Sequence, residues 1–422
     1  MTEKQLYKWY GEWWIYSKDK SDGPRVHGTL SIEDNGQPIL ELPPSKSYEL
    51  NCKFGHSYTI WGEDVYGTKI TLFNTYLKEQ RVADCFVVSY ALIGKHVTSL
   101  ESSVFLKAIA KYPNLKEFFY VQHIDITPDV NYTSIKISYP TTNEFKVPID
   151  NDINWILKGN CDLHVTRRFL NVDLNQDSAF IIESESVHSL GFFLQQIREF
   201  SDFLSLALQG KQRVNQISFY EKPDNDEKCD LYFLFEDSAN CKSHLIGDST
   251  PINHLRDILI NWHKNYRQIA PIYSYLERSV FDNKGISGIP EFLLVEAAVE
   301  GYFKRFHNKV RTENKDIQKC LDEFNKLLCY YKEVELIRTL DLDIEAIVNT
   351  RDAYVHLLPE SEYKGKELSD PHDIWVATEK LRILLLCCLM DSLGFTKQEI
   401  DTNFKTAPIY NPDLYKNDFL FE

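Results

Sequence analysis

The chain has 422 residues, and because domains typically hold about 100–200 residues, this length favours two or three domains over a single core. Its composition, with 43% hydrophobic and 26% charged residues, is that of a globular protein and excludes a disordered or collagen-like chain. The formal net charge of −15 argues against a protein that coats nucleic acid nonspecifically, so any contact with nucleic acid must be local.

The apolar runs and the cysteines predict a cytoplasmic protein. The longest apolar run, Ile383–Met390, is far shorter than the roughly 20 residues that a membrane span needs, and Met1–Trp14 lacks the apolar core of a signal peptide. The nine cysteines are scattered and include the adjacent pair Cys387 and Cys388, which predicts free thiols. Because the paired short spacings of a zinc site are missing, we expect no bound metal and no other cofactor.

Strand patterns with a period of two dominate the chain up to about Glu236. In Val26–Ile32, apolar or small residues alternate with polar ones, and the turn signal Asp34-Asn35-Gly36 follows, which predicts a half-buried strand and a hairpin. The N-terminal half is therefore predicted to be mainly β. Further strands are predicted at Ile70–Tyr76, Cys85–Leu92, Phe118–Ile126, Ser134–Tyr139, Glu144–Ile149, Leu163–Leu170, Phe180–Glu183, Ile217–Tyr220 and Leu231–Phe235.

One segment in this half has the period of a helix. Apolar residues recur at helical spacing from Leu190 to Leu208, and Gly210 follows as the expected C-terminal cap, which predicts a long helix packed on the sheet. The sequence then turns polar over Asp237–Thr250, and strand patterns stop at Pro251. We therefore place the domain boundary between residues 1–250 and 251–422.

The second half is predicted to be a helical bundle, which makes the fold class α+β. Helical periods run along most of this half, and with roughly 170 residues it is large enough to hold its own core. The predicted helices contain Leu255–Trp262, Phe292–Phe306, Ile317–Tyr331, Asp343–Leu357 and Pro371–Leu393.

A possible catalytic motif lies on the fourth of these helices. The signatures of P-loop NTPases, zincins and serine hydrolases are missing from the sequence, but Asn349–His356 contains Arg351, directly followed by the polar Asp352, and then His356. This element resembles the motif of the HEPN superfamily of helical-bundle RNases, in which an Arg, a polar residue and a His lie on one helix at this spacing. The stretch Phe292–Tyr302 is similar to the Glu-containing first long helix of the HEPN domain in ApeA-like proteins.

The N-terminal half also resembles the partner domain of ApeA-like proteins. The similar stretches are Gly11-Glu12-Trp13-Trp14, His27-Gly28-Thr29-Leu30 and Phe203-Leu204-Ser205-Leu206. The resemblance implies a bacterial anti-phage protein that acts by abortive infection. Because a toxic RNase must be restrained in its host, we expect the N-terminal domain to sense a phage-derived trigger or to restrain the C-terminal HEPN-type RNase. It also implies a homodimer or a higher even oligomer formed through the helical domain, because HEPN protomers pair so that both Arg/His sets line one cleft.

These residue types suit metal-independent RNA cleavage. The 2′-hydroxyl attacks phosphorus in this reaction, so one group must accept its proton and another must protonate the leaving 5′-oxygen, and His356 fits either role. Arg351 is expected to stabilise the charge on the phosphate oxygens, and Asp352 to orient an Arg or a His. For RNA binding the sequence offers a basic segment, although a solvated helix end explains it equally well. Its residues are Lys304, Arg305, Lys309 and Arg311.

Two alternatives concern the motif itself. Arg256 and His263 also satisfy the pattern of an Arg followed by a polar residue and a more distant His, but they precede the two long bundle helices, whereas the family places the motif after them. Asp352 and His356 are also spaced as a simple stabilising i,i+4 pair near a helix end. The helical context favours the catalytic interpretation of Arg351 and His356.

Two other interpretations involve the N-terminal half. Asp129 with Glu144 and Lys146 resembles the Asp and Glu-x-Lys core of restriction-type nucleases, which would require Mg²⁺. A non-enzymatic interpretation instead uses tryptophans as a stacking surface for sugar, base or peptide, with the bundle serving only to dimerise. The tryptophans concerned are Trp9, Trp13, Trp14 and Trp61.

Overall fold

The computed structural model confirms the α+β fold class, with a mainly β unit and a helical unit. The compact units are Met1–Ser201 with Gln212–Ser238, and Asp202–Lys211 with Ala239–Glu422. The structure describes residues 7–16, 23–80, 83–119, 125–128, 135–138, 142–166, 171–222, 227–235, 238–239, 241, 244–246, 252–278, 288–307, 317–363 and 365–407.

Most strands of the N-terminal unit belong to one antiparallel sheet in the order β10-β11-β12-β7-β13-β14-β6-β3-β2-β1-β4-β5, and β8 and β9 form a separate hairpin. The strands are β1 (Lys8–Ile15), β2 (Val26–Ile32), β3 (Pro38–Leu42), β4 (Ser57–Asp64), β5 (Lys69–Gln80), β6 (Asp84–Ile93), β7 (Ser103–Lys111), β8 (Asp125–Pro128), β9 (Ile135–Ser138), β10 (Thr142–Pro148), β11 (Ile153–Thr166), β12 (Asn171–Ser189), β13 (Gln216–Tyr220) and β14 (Lys228–Phe233).

One end of this sheet closes into a barrel, because β5 also pairs with β6. The barrel interior is filled by apolar side chains such as Trp13, Leu30 and Phe86, none of which is exposed to solvent. Gly62 on β4 makes room for the indole of Trp13, since a Cβ at this position would lie 2.2 Å from that ring. The barrel therefore has its own hydrophobic core, which includes the aromatic side chains of Trp13 and Phe86.

The other end of the sheet is open and is covered by the long helix α3 (Leu190–Leu208). The rings of Phe180 and Phe200 stack with 3.9 Å between their centroids, which fixes the helix against β12. The helix ends with Gln209 in the left-handed region (φ 51°), and the Gly210 N–H donates to Ser205 O at 3.2 Å. The predicted helix is thus present, but Gln209 rather than Gly210 adopts the left-handed conformation that terminates it.

Two short helices also lie in the N-terminal unit, α1 (Lys46–Glu49) and α2 (Leu115–Phe118). A strand was predicted at Phe118–Ile126, but Phe118 is the last residue of α2, so the predicted start of that strand was wrong.

The helical unit contains α4 to α10, and a π-helical turn (Phe303–His307) extends α5. The last part of α3 also belongs to this unit, where the ring of Phe203 lies 5.8 Å from that of Trp262. None of the described helices combines the length and the apolarity that crossing a membrane requires. The helices are α4 (Ile252–Leu276), α5 (Ile289–Tyr302), α6 (Ile317–Tyr330), α7 (Glu335–Thr339), α8 (Ile344–Val355), α9 (Pro371–Ser392) and α10 (Lys397–Thr406).

Candidate active site

The candidate site is built on α8, whose start is fixed by a side-chain cap. The Asp343 carboxylate accepts a hydrogen bond from the Ala346 N–H at 3.0 Å, which satisfies one of the free donors of the first turn. Thr350 is fully buried on this helix. Its hydroxyl donates to Ala346 O at 2.7 Å and accepts from the Leu368 N–H at 2.8 Å, so the chain that follows the helix is tied back to it.

The C-terminal end of α8 places His356 at the cap position. The His356 N–H donates to Asp352 O at 3.1 Å, and the Leu358 N–H donates to Ala353 O at 2.9 Å. Between them Leu357 adopts φ 50°, so the turn is a Schellman motif with Leu at the position where Gly is favoured. The residue directly after His356 is therefore held in a conformation that L-residues seldom adopt.

The Arg351 side chain on α8 contacts residues of α5, of α6 and of its own helix. Its Nε lies 3.4 Å from Oε1 of Glu296 on α5, and its NH1 lies 3.1 Å from Oδ1 of Asp352. Its NH2 donates to Sγ of Cys320 on α6 at 3.3 Å. The Arg351 side chain as a whole is 20% exposed, and its guanidinium is held from three sides.

The Glu296 carboxyl is the most deeply buried charge at this site, with 1% of the residue exposed. Burial raises the pKa of Glu296 to about 7, although the neighbouring Arg351 opposes the shift. Burial also raises the pKa of Cys320 to about 12, so Arg351 contacts a neutral thiol. For Arg351, burial acts to lower the pKa, but Glu296, Cys320 and Glu300 together outweigh it, so the pKa lies above its usual value. The guanidinium is therefore a permanent cation.

The imidazole of His356 is exposed and makes no hydrogen bond or ion pair with the described residues. Its two neighbours in sequence are apolar and exposed: 53% of Val355 and 85% of Leu357 are accessible to solvent. The structure thus places Arg351 and Asp352 in contact, with His356 at the solvent-facing end of the same helix.

The predicted basic segment is described only in part. Lys304 and Arg305 are exposed in the π-helical turn after α5, and Lys304 forms an ion pair with Glu300 one turn earlier. Arg305 has no ion pair with any residue that the structure describes. Lys309 and Arg311 lie outside the described residues.

The residues of the alternative sites lie on other elements. Arg256 and His263 are both on α4, whereas the residues that contact Arg351 lie on α5, α6 and α8. Glu144 and Lys146 are exposed on β10, where Lys146 lies 3.7 Å from Glu183, and Asp129 is not among the described residues. Within the described part of the chain, no group of three or more His, Cys, Asp or Glu side chains is arranged to hold a metal ion.

The tryptophans divide between the core and the surface of the barrel. Trp13 and Trp14 are buried, with 0% and 5% of each residue exposed, so they are not available for stacking on a ligand. Trp9 and Trp61 are half-buried. The ring of Trp61 already packs against two others, since its centroid lies 4.6 Å from that of Tyr16 and 4.7 Å from that of His96.

Glu296 and Cys320, which hold Arg351, could not be assigned a role from the sequence alone. A signal for Glu296 was present: it stands between Val295 and Ala297 in an apolar stretch of α5, and a carboxylate at such a position requires a partner. The neutral thiol of Cys320 gave no comparable signal.

Comparisons with known families cover most of the chain. The family described as ApeA N-terminal domain 1 matches residues 8–267, and the family described as Apea-like HEPN matches residues 274–399. The second range contains Glu296, Cys320, Arg351 and His356, and HEPN domains are generally nucleases. Neither the curated proteins nor the solved structures provide a match. The chain therefore belongs to the ApeA-like family, with an ApeA N-terminal domain followed by an ApeA-like HEPN domain.

Proposed function

We propose that this protein is a metal-independent endoribonuclease that acts in the cytoplasm in anti-phage defence by abortive infection. The observation that carries the proposal is the arrangement on α8, where a guanidinium fixed by a buried carboxyl precedes an exposed imidazole at the end of the same helix. Membership of the ApeA-like family supports the same conclusion, because its HEPN domain fits an anti-phage nuclease family.

His356 supplies the proton transfers. Its imidazole is exposed and makes no contact that would occupy a ring nitrogen within the described residues, so a ribose hydroxyl can approach it. An imidazole can accept the 2′-hydroxyl proton or protonate the 5′-oxygen near neutral pH. The 2′-oxygen then bonds to phosphorus, the bond to the 5′-oxygen breaks, and the products carry a 2′,3′-cyclic phosphate and a 5′-hydroxyl.

Arg351 stabilises the charge that develops on the non-bridging phosphate oxygens. Its guanidinium is held in place before substrate binds, so little reorganisation is needed during the reaction. Asp352 contacts NH1 and Glu296 lies beside Nε, which makes both of them positioning residues for Arg351. Asp352 thus takes the orienting role, directed at the Arg of its own chain.

Two copies of the chain complete the site. Residues five apart on an α-helix lie roughly 140° apart around its axis, so Arg351 and His356 of one copy do not face the same point. A pair of copies related by a two-fold axis supplies two imidazoles, one for each proton transfer. The exposed Val355 and Leu357 beside His356 provide apolar surface for this contact.

The rest of the chain serves substrate binding and control. Lys304 and Arg305, continued by Lys309 and Arg311, offer positive charge for the RNA backbone in an otherwise acidic protein. The N-terminal domain, residues 1–250, senses a phage-derived trigger and regulates the HEPN domain, residues 251–422. This division gives the β-rich unit a task that does not require catalytic groups.

Cleavage of a labelled RNA and of the same RNA with one 2′-deoxy residue at the cut site, each with and without EDTA, tests the mechanism. We expect EDTA-resistant cleavage of the ribose form only. Cleavage of the deoxy form that EDTA abolishes would contradict the proposal and favour the metal site at Asp129 and Glu144.

Variants test the assignment of residues. His356→Ala should abolish cleavage without unfolding the protein, because the side chain is exposed. Arg351→Lys keeps a positive charge beside Glu296 and should also lose most activity. A lysine ammonium cannot donate in parallel to two phosphate oxygens as the planar guanidinium can. His263→Ala on α4 is the matched control and should retain activity. An active His356→Ala variant beside an inactive His263→Ala variant would move the site to α4.

A further inference from the structure

The sheet of the N-terminal unit divides at one edge of β6. The first half of this edge pairs with β3, through Asp84 to Val87, and the second half pairs with β14, through Tyr90 to Ile93. Where the two partners separate, the turn between β2 and β3 meets the end of β14 and encloses a cavity of about 420 Å³. We call it the fork pocket. Its lining includes Tyr7, Glu33, Asp34, Gly36, Asp230 and Tyr232.

The wall that faces β14 is fixed by close packing. Gly36 adopts φ 80°, and a Cβ there would lie 2.3 Å from the Phe235 ring, so only glycine lets the turn approach so closely. The Phe235 N–H donates to Asn35 O at 3.1 Å, which joins the turn to the chain after β14. The pocket is therefore formed before any ligand enters.

Aromatic rings form a corner of the pocket. The rings of Tyr7 and Tyr232 have centroids 5.6 Å apart and planes inclined at 51°, and the ring of Trp9 supports Tyr232 from 5.5 Å. Burial raises the pKa of Tyr232 to about 12, with Asp230 and Tyr7 adding to the shift, so its phenol is neutral at physiological pH. The faces of such rings attract cations.

Acidic side chains give the pocket its charge, and the neutral residues Asn215 and Gln216 also line it. Glu33, Asp34 and Asp230 line the pocket, and none of the described lining residues is Lys, Arg or His. Asp230 is held by Ser218, whose hydroxyl donates to Oδ1 at 2.5 Å, and by Lys228 at 3.0 Å from Oδ2. Among the described lining residues the charged side chains are therefore all acidic, which favours a cation.

We propose that the fork pocket is a binding site for an alkylammonium or guanidinium group, carried by a small free amine or by a Lys or Arg side chain of a partner protein. Its volume lies in the range of small-ligand sites, and aromatic faces combined with carboxylates are the usual surroundings of such cations. The site is separate from the residues placed in RNA cleavage, so the inference does not depend on the proposed function.

Calorimetric titration of the full chain tests the site. The probes are an acetylated and amidated Gly-Ser-Arg-Ser-Gly peptide, the same peptide with citrulline in place of Arg, and agmatine as the free guanidinium. We expect the charged probes to bind at least about tenfold more tightly than the citrulline peptide, because citrulline keeps the shape but not the charge. Preference for the Arg peptide over agmatine would identify a protein side chain as the ligand, and the reverse preference a small amine.

Substitutions locate the binding. Glu33→Gln with Asp230→Asn should weaken binding of the charged probes at least about tenfold, and Tyr232→Leu should weaken it several-fold. Glu41→Gln with Glu49→Gln removes the same charge outside the lining and should leave the affinity unchanged. Thermal melts confirm that each variant folds. Equal affinity for the Arg and citrulline peptides, no binding of any probe, or unchanged affinity in the Glu33/Asp230 variant would each overturn the proposal.

Discussion

Arg351 and Glu296 form a buried ion pair in which no hydrogen bond joins the facing atoms. Nε and Oε1 are 3.4 Å apart, and neither atom has a hydrogen-bond partner in the described part of the chain. Because burial raises the pKa of Glu296 to about 7, this carboxyl is partly protonated at neutral pH. The hold of Glu296 on Arg351 therefore depends on pH in the range where an RNase of this type would work.

The first prediction concerns this carboxyl and the stability of the fold. Its folded-state pKa is raised from 4.5 to about 7, so the folded chain keeps the proton to a higher pH than the unfolded chain does. The contribution of Glu296 to the free energy of unfolding should fall as the pH rises from about 5 to 8, by up to about 3 kcal/mol. Urea unfolding of the parent protein and of Glu296→Gln across this range measures the difference.

Glu300→Gln, one turn further along α5 and paired with the exposed Lys304, is the control for this measurement. The stability of Glu296→Gln relative to the parent should improve with rising pH, whereas that of Glu300→Gln should change little. A Glu296→Gln variant whose relative stability does not change with pH would show that Glu296 ionises normally.

The second prediction concerns the left-handed residue that follows His356. Leu357 adopts φ 50° and is 85% exposed, so its side chain contributes strain at the turn and little burial within one chain. Leu357→Gly should increase the free energy of unfolding by about 0.5–1 kcal/mol, while Leu357→Ala should not, because alanine keeps the Cβ. Denaturant titration below the dimerisation concentration checks both variants, and equal stabilities would contradict the assigned strain.

The third prediction concerns the proposed dimer. Leu357→Asp and Val355→Asp place a charge on the apolar surface beside His356 and should raise the dimer dissociation constant at least about tenfold. Aspartate tolerates the left-handed conformation, so the turn at Leu357 is kept. Sedimentation velocity and RNase assays over a concentration series should show that activity is lost at low concentration and recovers at high concentration.

Leu234→Asp is the matched control for the dimer, because Leu234 is 54% exposed in the β-rich unit. It should leave both the dissociation constant and the activity unchanged. Full activity of Leu357→Asp at concentrations where the protein is monomeric would remove the requirement for two copies.

The fourth prediction concerns RNA binding by the turn after α5. Arg305→Ala should weaken the affinity for single-stranded RNA by about 3–10-fold and reduce the slope of log affinity against log salt by about 0.7, as expected for one phosphate contact. Lys405→Ala, which removes a lysine already paired with Glu335 and Asp401, is the control. Fluorescence anisotropy at several salt concentrations measures both quantities. An unchanged affinity and salt slope in Arg305→Ala would show that Arg305 does not contact a phosphate.

The fold class could be predicted because the periods of apolar residues change from two to helical along the chain. Strand β7 (Ser103–Lys111) escaped prediction for a physical reason. Its buried positions include Ala108 and Ala110, which have low β propensity and, with the neighbouring lysines, do not give the clear alternation of a strand. Pairing with β12 and β13 on both sides stabilises the strand, and no local pattern encodes that pairing.

The spacing of Arg351 and His356 could be recognised because it falls within one helix and its C-terminal cap, and their catalytic roles stay predictions. The contacts of Arg351 with Glu296 and Cys320 join three helices that are distant in sequence, so only the packed structure shows them. The boundary at residue 250 also stays a prediction. No change in composition marks the start of Asp202–Lys211 as part of the helical unit, because residues 202–208 continue the period of α3.

The last turns of α3 determine where the chain can be divided into fragments that remain soluble. Phe203 packs against the fully buried Trp262, and the Tyr266 hydroxyl donates to Asp202 at 2.6 Å. A fragment that begins at residue 251 would expose that indole and leave the tyrosine without its acceptor, so it should aggregate on expression. Adding back residues 190–211 as a separate peptide should restore its solubility, which makes α3 the complementing piece of a split protein.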